Sequence, residues 1–223
     1  MSKSEKAKAR RPATQTLVAA NQANARFEFM FAATMIGIGA LMVWYFELPL
    51  NFNVMSPDFN PVTVAAAVFA VIGLYSLVRA VLLTYRLRKF GTSSIETYAV
   101  RPGGYFAGRL SSTRAFTATG DFHASVKCIQ RVGVLDDPSS AIKTYRSVRD
   151  KVVWQTTVTA EGRTIGPDRQ IEIAFNLPAD GPASRGAPIA GGMVGGVRWV
   201  LEITAPTPGL NYYAIFAIPV LGS

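Results

Sequence analysis

Two uncharged apolar runs in the first third of the chain constrain its fold more than any other feature. Residues 29–46 read FMFAATMIGIGALMVWYF and residues 61–78 read PVTVAAAVFAVIGLYSLV, each 18 residues without a charge. The second run continues past Arg79 through AVLLTY. A helix needs roughly 20 apolar residues to cross the hydrocarbon core, and it satisfies its own backbone groups there. The sequence therefore predicts two transmembrane helices, at about 27–46 and 61–86.

Composition and flanking residues support membrane segments over a cleaved signal peptide. The 223-residue chain is 49% hydrophobic and 17% charged, whereas a soluble domain is about a quarter charged. A signal peptide would begin with an unusually long polar stretch, and WYFELP follows the first run instead of a small-residue cleavage site. Trp44 and Tyr45 are instead predicted at the membrane interface, where amphipathic rings lie at headgroup depth.

Basic residues flank the pair of apolar runs on its outer sides. Residues 1–26 carry six Lys or Arg and one acid, and RLRK at 86–89 adds three positive charges. The linker 47–60 has two acids and no basic residue. The positive-inside rule then places the N-terminus and the C-terminal part in the cytoplasm, as a multi-pass protein of the bacterial inner membrane. Contacts with anionic lipid headgroups are predicted for Arg26, Arg79, Arg86, Arg88 and Lys89.

Arg79 admits two interpretations. Arg79 either snorkels to the cytoplasmic headgroups or pairs with an acid inside the membrane, and the absence of a deep acid from both runs favours snorkelling. Two pairs of small residues, Ala33 with Gly37 and Ala66 with Ala70, would let the helices approach closely. The basic arm 1–26 is expected to be largely flexible, with a short helix from Leu17 to Arg26.

The chain from residue 94 onward has the texture of an antiparallel β domain. Short runs rich in Val, Ile, Thr and aromatic residues alternate with Gly, Pro, Asp and Ser clusters, and VRWVLEI at 197–203 alternates apolar with other side chains. Two long loops, 136–150 and 179–196, are either functional or mobile. The predicted strands are 95–100, 105–111, 121–134, 152–161, 170–177, 197–205 and 212–220.

These pieces occur in an order that resembles the arrestin-like sandwich. GGYFAGRL at 103–110 resembles its early strand, and IEIAFNLPADGPAS at 171–184 precedes VRWVLEITA at 197–205. With SVKCIQRV, VVWQTTV and AIFAIPV, the chain also resembles a group of uncharacterised bacterial two-helix membrane proteins. The resemblance implies an immunoglobulin/arrestin-like β-sandwich over residues 94–223, after the hairpin 27–90. It implies no activity, and the chain has room for one lobe only, so a receptor-binding role does not carry over.

The residues that usually carry chemistry are sparse and scattered. The single histidine, His123, and the single cysteine, Cys128, would face opposite sides of a strand, which argues against a catalytic dyad and places Cys128 in the core. One cysteine also fits a reducing compartment. GGMVGG at 191–196 precedes no helix, so it is interpreted as a flexible loop. The basic segment KTYRSVRDK at 143–151 is diluted by acids. The sequence predicts no catalytic residue, metal or cofactor, and no nucleic-acid partner.

Three functional hypotheses remain. The first is a non-enzymatic inner-membrane protein whose sandwich is a docking or scaffolding module, with edge strands that capture extended peptides. The second is an accessory subunit of a larger membrane complex that interacts through its helices. The third is a membrane-bound enzyme, which the missing site chemistry disfavours. Membrane lipids and a protein partner of unknown identity are the expected partners, and the oligomeric state stays open.

Overall fold

The structure is a computed structural model that describes residues 14–22, 25–46, 60–135, 145–185 and 196–222. The described residues form two compact units. The first, called the β unit, comprises the described parts of residues 1–21 and 90–223. The second, called the helical unit, comprises those of residues 22–89.

The helical unit contains α1, Ala25–Tyr45, and all but the last residue of α2, Pro61–Phe90. Both helices are long and apolar enough to cross a membrane. Local signals fix the start of α2, because the Asn60 side-chain oxygen accepts a hydrogen bond from the Val62 amide at 3.0 Å and Pro61 occupies the first helical position. Gly91 ends the helix with a φ of 71°, a conformation that only glycine adopts readily. The helices thus extend slightly beyond the predicted bounds, α1 at its start and α2 at its end.

Glycines allow α1 and α2 to approach closely. A Cβ atom built on Gly73 would lie 2.6 Å from Cγ1 of Ile36, and one built on Gly39 would lie 3.0 Å from the Ala66 carbonyl oxygen. Ala66 therefore lies on the contact face, as predicted. Gly37 does not, since a Cβ there would meet nothing within 4 Å. The expectation that Ala33 and Gly37 form the contact is wrong, because the helical rotation directs Gly39 instead toward α2.

The β unit is built from antiparallel strands. Its described strands are β1 Thr14–Val18, β2 Ser93–Tyr98, β3 Tyr105–Ser112, β4 Phe116–Thr117, β5 Phe122–Leu135, β6 Tyr145–Ala160, β7 Thr164–Ile165, β8 Ile171–Asn176, β9 Val197–Ala205 and β10 Tyr212–Ile218. They form one four-stranded sheet in the order β1-β2-β3-β8, a second in the order β10-β9-β5-β6, and a small β4-β7 sheet. Neighbouring strands within each of the three sheets are antiparallel.

One hydrophobic core joins the two larger sheets. Its largest fully buried side chains come from both of them and include Phe106, Phe122, Trp199, Tyr212 and Phe216. A hydrogen bond also crosses the core, because the Tyr212 hydroxyl of β10 donates to Ser93 Oγ of β2 at 2.9 Å. Burial raises the pKa of the Tyr212 phenol. Two antiparallel sheets that share a core are compatible with the predicted β-sandwich.

Several sequence expectations change at the level of elements. Residues 14–18 form strand β1 beside β2, and a 3-10 turn follows at Ala20–Gln22. The expected helix from Leu17 to Arg26 is therefore wrong at its start. Leu17 and Val18 belong instead to an extended strand that pairs with β2. Strand β6 begins at Tyr145, inside the segment 136–150 that was expected to be a loop. Residues 1–13, 136–144 and 186–195, which include much of the expected flexible arm and of both long loops, lie outside the described residues.

Candidate functional site

Apart from Arg79, the residues predicted to meet the membrane lie toward the ends of the two helices. Trp44 and Tyr45, in the last turn of α1, are 76% and 72% exposed. Arg26 and Arg88 are exposed, whereas Arg86 and Lys89 are half-buried. Their contacts with lipid remain predictions.

Arg79 has an acidic neighbour that the sequence reasoning missed. Its guanidinium Nη2 lies 3.5 Å from Glu28 Oε1, and its Cζ lies 6.0 Å from the centre of the Tyr75 ring. Glu28 was overlooked because the apolar run was taken to begin at Phe29, whereas α1 begins at Ala25. The acid therefore occupies the first turn of α1, where its carboxylate lies beside Arg79 of α2.

His123 and Cys128 lie apart, as their spacing on one strand predicts. His123 is exposed, and its Nδ1 lies 3.4 Å from Thr159 Oγ1 of the neighbouring strand. Cys128 is fully buried, and burial raises the pKa of its thiol to about 11. Among the residues that the structure describes, no group of three or more His, Cys, Asp or Glu side chains is placed to hold a metal ion.

Among the strands that the structure describes, β1 and β10 are outermost in different sheets, and they approach each other on one side of the β unit. Along an antiparallel strand, backbone groups point alternately toward and away from the paired strand. The Ala19 amide donates to the Ser93 carbonyl at 3.0 Å. The alternation therefore turns the backbone groups of Thr16 and Val18 away from β2, toward the outer edge of the sheet.

Asn21 links these two outer edges at one end. Its side-chain amide donates to the Tyr213 carbonyl at 3.0 Å, and its side-chain oxygen accepts from the Ile215 amide at 3.0 Å. Since Tyr213 and Ile215 direct these groups away from β9, the backbone of Ala217, two residues further, also points to the outer edge of β10.

Ser184 contacts the chain just beyond the end of β10, on the side that faces β9. Its amide donates to the Val220 carbonyl at 2.9 Å, and its hydroxyl oxygen accepts from the Val220 amide at 3.0 Å. Nearby, the indole N–H of Trp199 donates to the Pro182 carbonyl at 2.8 Å, which fixes the ring against the segment that carries Ser184. Asn21 thus covers part of the outer edge of β10 before Ala217, and Ser184 holds the chain that follows β10.

A groove of about 420 Å³ lies between β1 and β10. We call it the edge groove. Leu17, Val18, Trp199, Ile218 and Pro219 give it a largely apolar lining. Its remaining lining consists of Gln15, Thr16, Ser184, Val197, Arg198 and Ala217. The edge groove therefore combines apolar surface with the outward-facing backbone of two sheet edges, the two features that an extended peptide needs to add as a strand.

Sequence reasoning identified Trp199 as core, and its side chain is 1% exposed. It did not identify the edge groove, because the lining residues are brought together by pairings between distant segments. A partial signal exists in TQTLV at 14–18, a short β-prone run between the basic arm and the first apolar run. The chain matches none of the protein-family models and none of the curated proteins with which it was compared.

Proposed function

We propose that this chain is a non-enzymatic membrane protein whose β unit docks an extended segment of a partner protein in the edge groove. The observation that carries the proposal is the position of the groove, between the outer edges of two sheets. Outer edges present unpaired amides and carbonyls that readily accept another strand. The accessible apolar lining, formed by Leu17, Val18 and Pro219, offers burial for alternate side chains of such a segment.

Ala217 provides the sharpest test of docking, because its amide points away from β9 and is not needed for the sheet. The substitution Ala217→Pro removes this donor, and an outermost strand tolerates proline. Ala217→Val is the matched control, since it keeps the amide and adds bulk. We expect phage-displayed short random peptides to yield sequences that bind the full chain in nanodiscs and its Ala217→Val variant, but bind Ala217→Pro at least about tenfold more weakly.

If every selected peptide binds Ala217→Pro as tightly as Ala217→Val, or if no peptide is selected, docking at this edge is contradicted. Urea unfolding of the two variants is monitored by tryptophan fluorescence. Equal unfolding midpoints would show that a loss of peptide binding does not result from unfolding of the β unit.

Further parts of the proposal concern fold family and membrane orientation. The sharing of one core by two antiparallel sheets supports an arrestin-like or immunoglobulin-like sandwich. The length and apolar character of α1 and α2 support two membrane crossings. The basic flanks support an N-terminus and a β unit on the cytoplasmic side of the bacterial inner membrane.

Orientation is testable with cysteines introduced into the Cys128→Ala background, because the native thiol is buried. Glu161→Cys lies on an exposed turn of the β unit, and Asn53→Cys lies in the linker. A membrane-impermeant maleimide added to cells with a permeabilised outer membrane should label Asn53→Cys and spare Glu161→Cys until the inner membrane is opened. The reverse pattern would place the β unit on the other side.

The alternative function is that of an accessory subunit in a larger membrane complex, interacting through the helices. The observation that favours it is the apolar surface of α1 and α2, since little of either candidate span is buried within the unit. Lipid covers such a surface equally well. Purification in mild detergent, before and after deletion of residues 94–223, separates the two functions. Integral membrane subunits that remain bound in stoichiometric amounts after the deletion support the accessory role. They argue against docking through the β unit.

A further inference from the structure

The two helices of the helical unit differ in length. α1 has 21 residues and α2 has 30. At a rise of about 1.5 Å per residue, α1 is about 32 Å long and α2 is about 45 Å long. The hydrocarbon core of a bilayer is about 30 Å thick. α1 is therefore just long enough to cross the core, whereas α2 exceeds it by about 15 Å.

Two contacts, one in each half of α1, fix how the helices are aligned. A Cβ atom built on Gly39 would lie 3.0 Å from the carbonyl oxygen of Ala66. In the first turn of α1, Glu28 Oε1 lies 3.5 Å from Arg79 Nη2. Between these contacts, each step toward the start of α1 is matched by a nearly equal step toward the end of α2. The helices therefore run antiparallel, and their alignment can be continued to their ends.

The alignment leaves the helix ends level on one side and unequal on the other. Continued to the end of α1, it sets Tyr45 at about the level of Pro61, the first residue of α2. Continued to the start of α1, it sets Ala25 at about the level of Leu82. Residues 83–89 of α2 therefore extend past α1, and we call them the overhang.

Charged residues at the start of α1 limit how far the hydrocarbon core can reach. Arg26 and Glu28 lie in the first turn, and a charge inside the core is costly. At the other end, Trp44 and Tyr45 mark the interface, because amphipathic rings lie at headgroup depth. Glu28 and Tyr45 are about 26 Å apart along α1. A core of about 30 Å therefore has its second boundary within one turn of the pair of Glu28 and Arg79.

The overhang begins where this boundary ends the core. Tyr85 is 54% exposed and lies about 9 Å beyond Arg79 along α2. Arg86 follows it, and among the residues that the structure describes no side chain forms an ion pair with its guanidinium. The headgroup layer is about 5–7 Å deep on each side of the core. An aromatic ring and a guanidinium at this depth suit phospholipid headgroups.

We propose that the hydrocarbon boundary lies at the pair of Glu28 and Arg79, and that the overhang binds phospholipid headgroups. Tyr85 lies in the headgroup layer, and the Arg86 guanidinium donates hydrogen bonds to a lipid phosphate. This inference rests on the two proposed membrane crossings and specifies where the second one ends. The apolar run alone extends the transmembrane segment to about residue 86, whereas the alignment with α1 ends it within one turn of Arg79.

Spin labels on the full chain in nanodiscs test this boundary. They are attached to single cysteines introduced into the Cys128→Ala background. Val71→Cys, at a 67% exposed position of α2, reports the core, and Tyr85→Cys reports the overhang. Glu161→Cys, on an exposed turn of the β unit, is the aqueous reference. Collisions with oxygen and with a water-soluble nickel chelate measure the depth of each label. We expect the Tyr85 label at headgroup depth, between a deep Val71 label and an aqueous Glu161 label.

The outcomes separate this inference from the membrane crossings on which it rests. A water-exposed label at Val71 would overturn the crossing of α2, and with it the inference. A Tyr85 label as deep as the Val71 label would overturn the boundary and leave the crossing intact. A Tyr85 label as accessible to the nickel chelate as the Glu161 label would overturn headgroup binding by the overhang, again with the crossing intact.

Arg86 has a test of its own. Native mass spectrometry of the full chain in mild detergent, titrated with phosphatidylglycerol, measures lipid binding. We expect Arg86→Gln to weaken binding about fivefold, because one guanidinium no longer meets the phosphate. Arg169→Gln, which removes an exposed arginine after β7, should leave binding unchanged. Unchanged binding in Arg86→Gln, or an equal loss in both variants, would overturn the assignment of Arg86 to a lipid phosphate.

Discussion

At the scale of single residues, Cys128 connects the core of the β unit to a measurable pH dependence. Its side chain lies between sheets without exposure to water, and burial raises the pKa of the thiol from 9.0 to about 11. Burial therefore favours the neutral thiol in the folded state. Its contribution to stability is complete below pH 9 and is lost as the pH rises through 11.

The full chain should accordingly lose more stability than its Cys128→Ala variant between pH 8 and pH 10. The expected difference in the change of unfolding free energy is about 1 kcal/mol, because one thiol ionises more easily in the unfolded chain. Urea unfolding in detergent, followed by tryptophan fluorescence at both pH values, measures it. Parallel pH dependences for the two proteins would show that the thiol is accessible to water in the folded state.

Asn21 links the segment that follows β1 to the outer edge of β10 through two hydrogen bonds. Asn21→Ala removes both bonds to β10, leaving the Tyr213 carbonyl and the Ile215 amide without this partner. We expect a loss of about 1–2 kcal/mol in unfolding free energy. Asn176→Ala, the same substitution at an exposed position at the end of β8, should change stability by less than about 0.5 kcal/mol. Equal effects of the two substitutions would contradict a specific link between the edges.

At the scale of elements, the contact between α1 and α2 depends on Gly73. A larger side chain there must displace Ile36 or separate the helices, since a Cβ already comes within 3.1 Å of the Ala32 carbonyl oxygen. Gly73→Leu should therefore reduce cross-linking between Glu28→Cys and Arg79→Cys by a short bifunctional maleimide, in the Cys128→Ala background. Gly37→Leu is the matched control, because its side chain meets open space. Retained cross-linking in both variants would exclude close packing at Gly73.

Sequence periodicity predicted elements well where one face is continuously buried. Strand β9 was predicted with its observed bounds because Val197, Trp199, Leu201 and Ile203 alternate with more exposed residues and all four are buried. Strand β1 was missed because five residues carry a weak signal of their own, and β1 is stabilised by β2, a partner far along the chain. The order of apolar and polar residues within a segment reveals an amphipathic element. Pairing between strands that are distant in the sequence leaves no such signal in either segment.

The same reason explains which parts of the candidate site escaped prediction. The edge groove combines residues from β1, β9, β10 and the segment around Ser184. None of these segments is marked as a site by composition, and only the strand order brings them together. The pair of Glu28 and Arg79 was missed for a simpler reason, since a boundary drawn at an uncharged run excludes the acid beside it.

At the scale of the whole molecule, the proposed function assigns separate roles to the helices and to the β unit. Two apolar helices are suited to hold the chain in a membrane, and a two-sheet unit presents a groove along its outer edges. The proposal assigns attachment to the first and partner recognition to the second. It therefore predicts that recognition is confined to one side of the β unit, and that the outer edges of β6 and β8 are not used.

Amide hydrogen exchange of the full chain in nanodiscs, with and without a saturating selected peptide, tests this central claim most directly. The account predicts that exchange slows by at least about tenfold in peptic fragments that contain residues 14–19 or 215–219, because docking recruits outer-edge amides into hydrogen bonds. Fragments from β6 and β8 should exchange at unchanged rates. Protection confined to β6 or β8, or no protection of β1 and β10 despite bound peptide, would contradict the edge groove as the docking site.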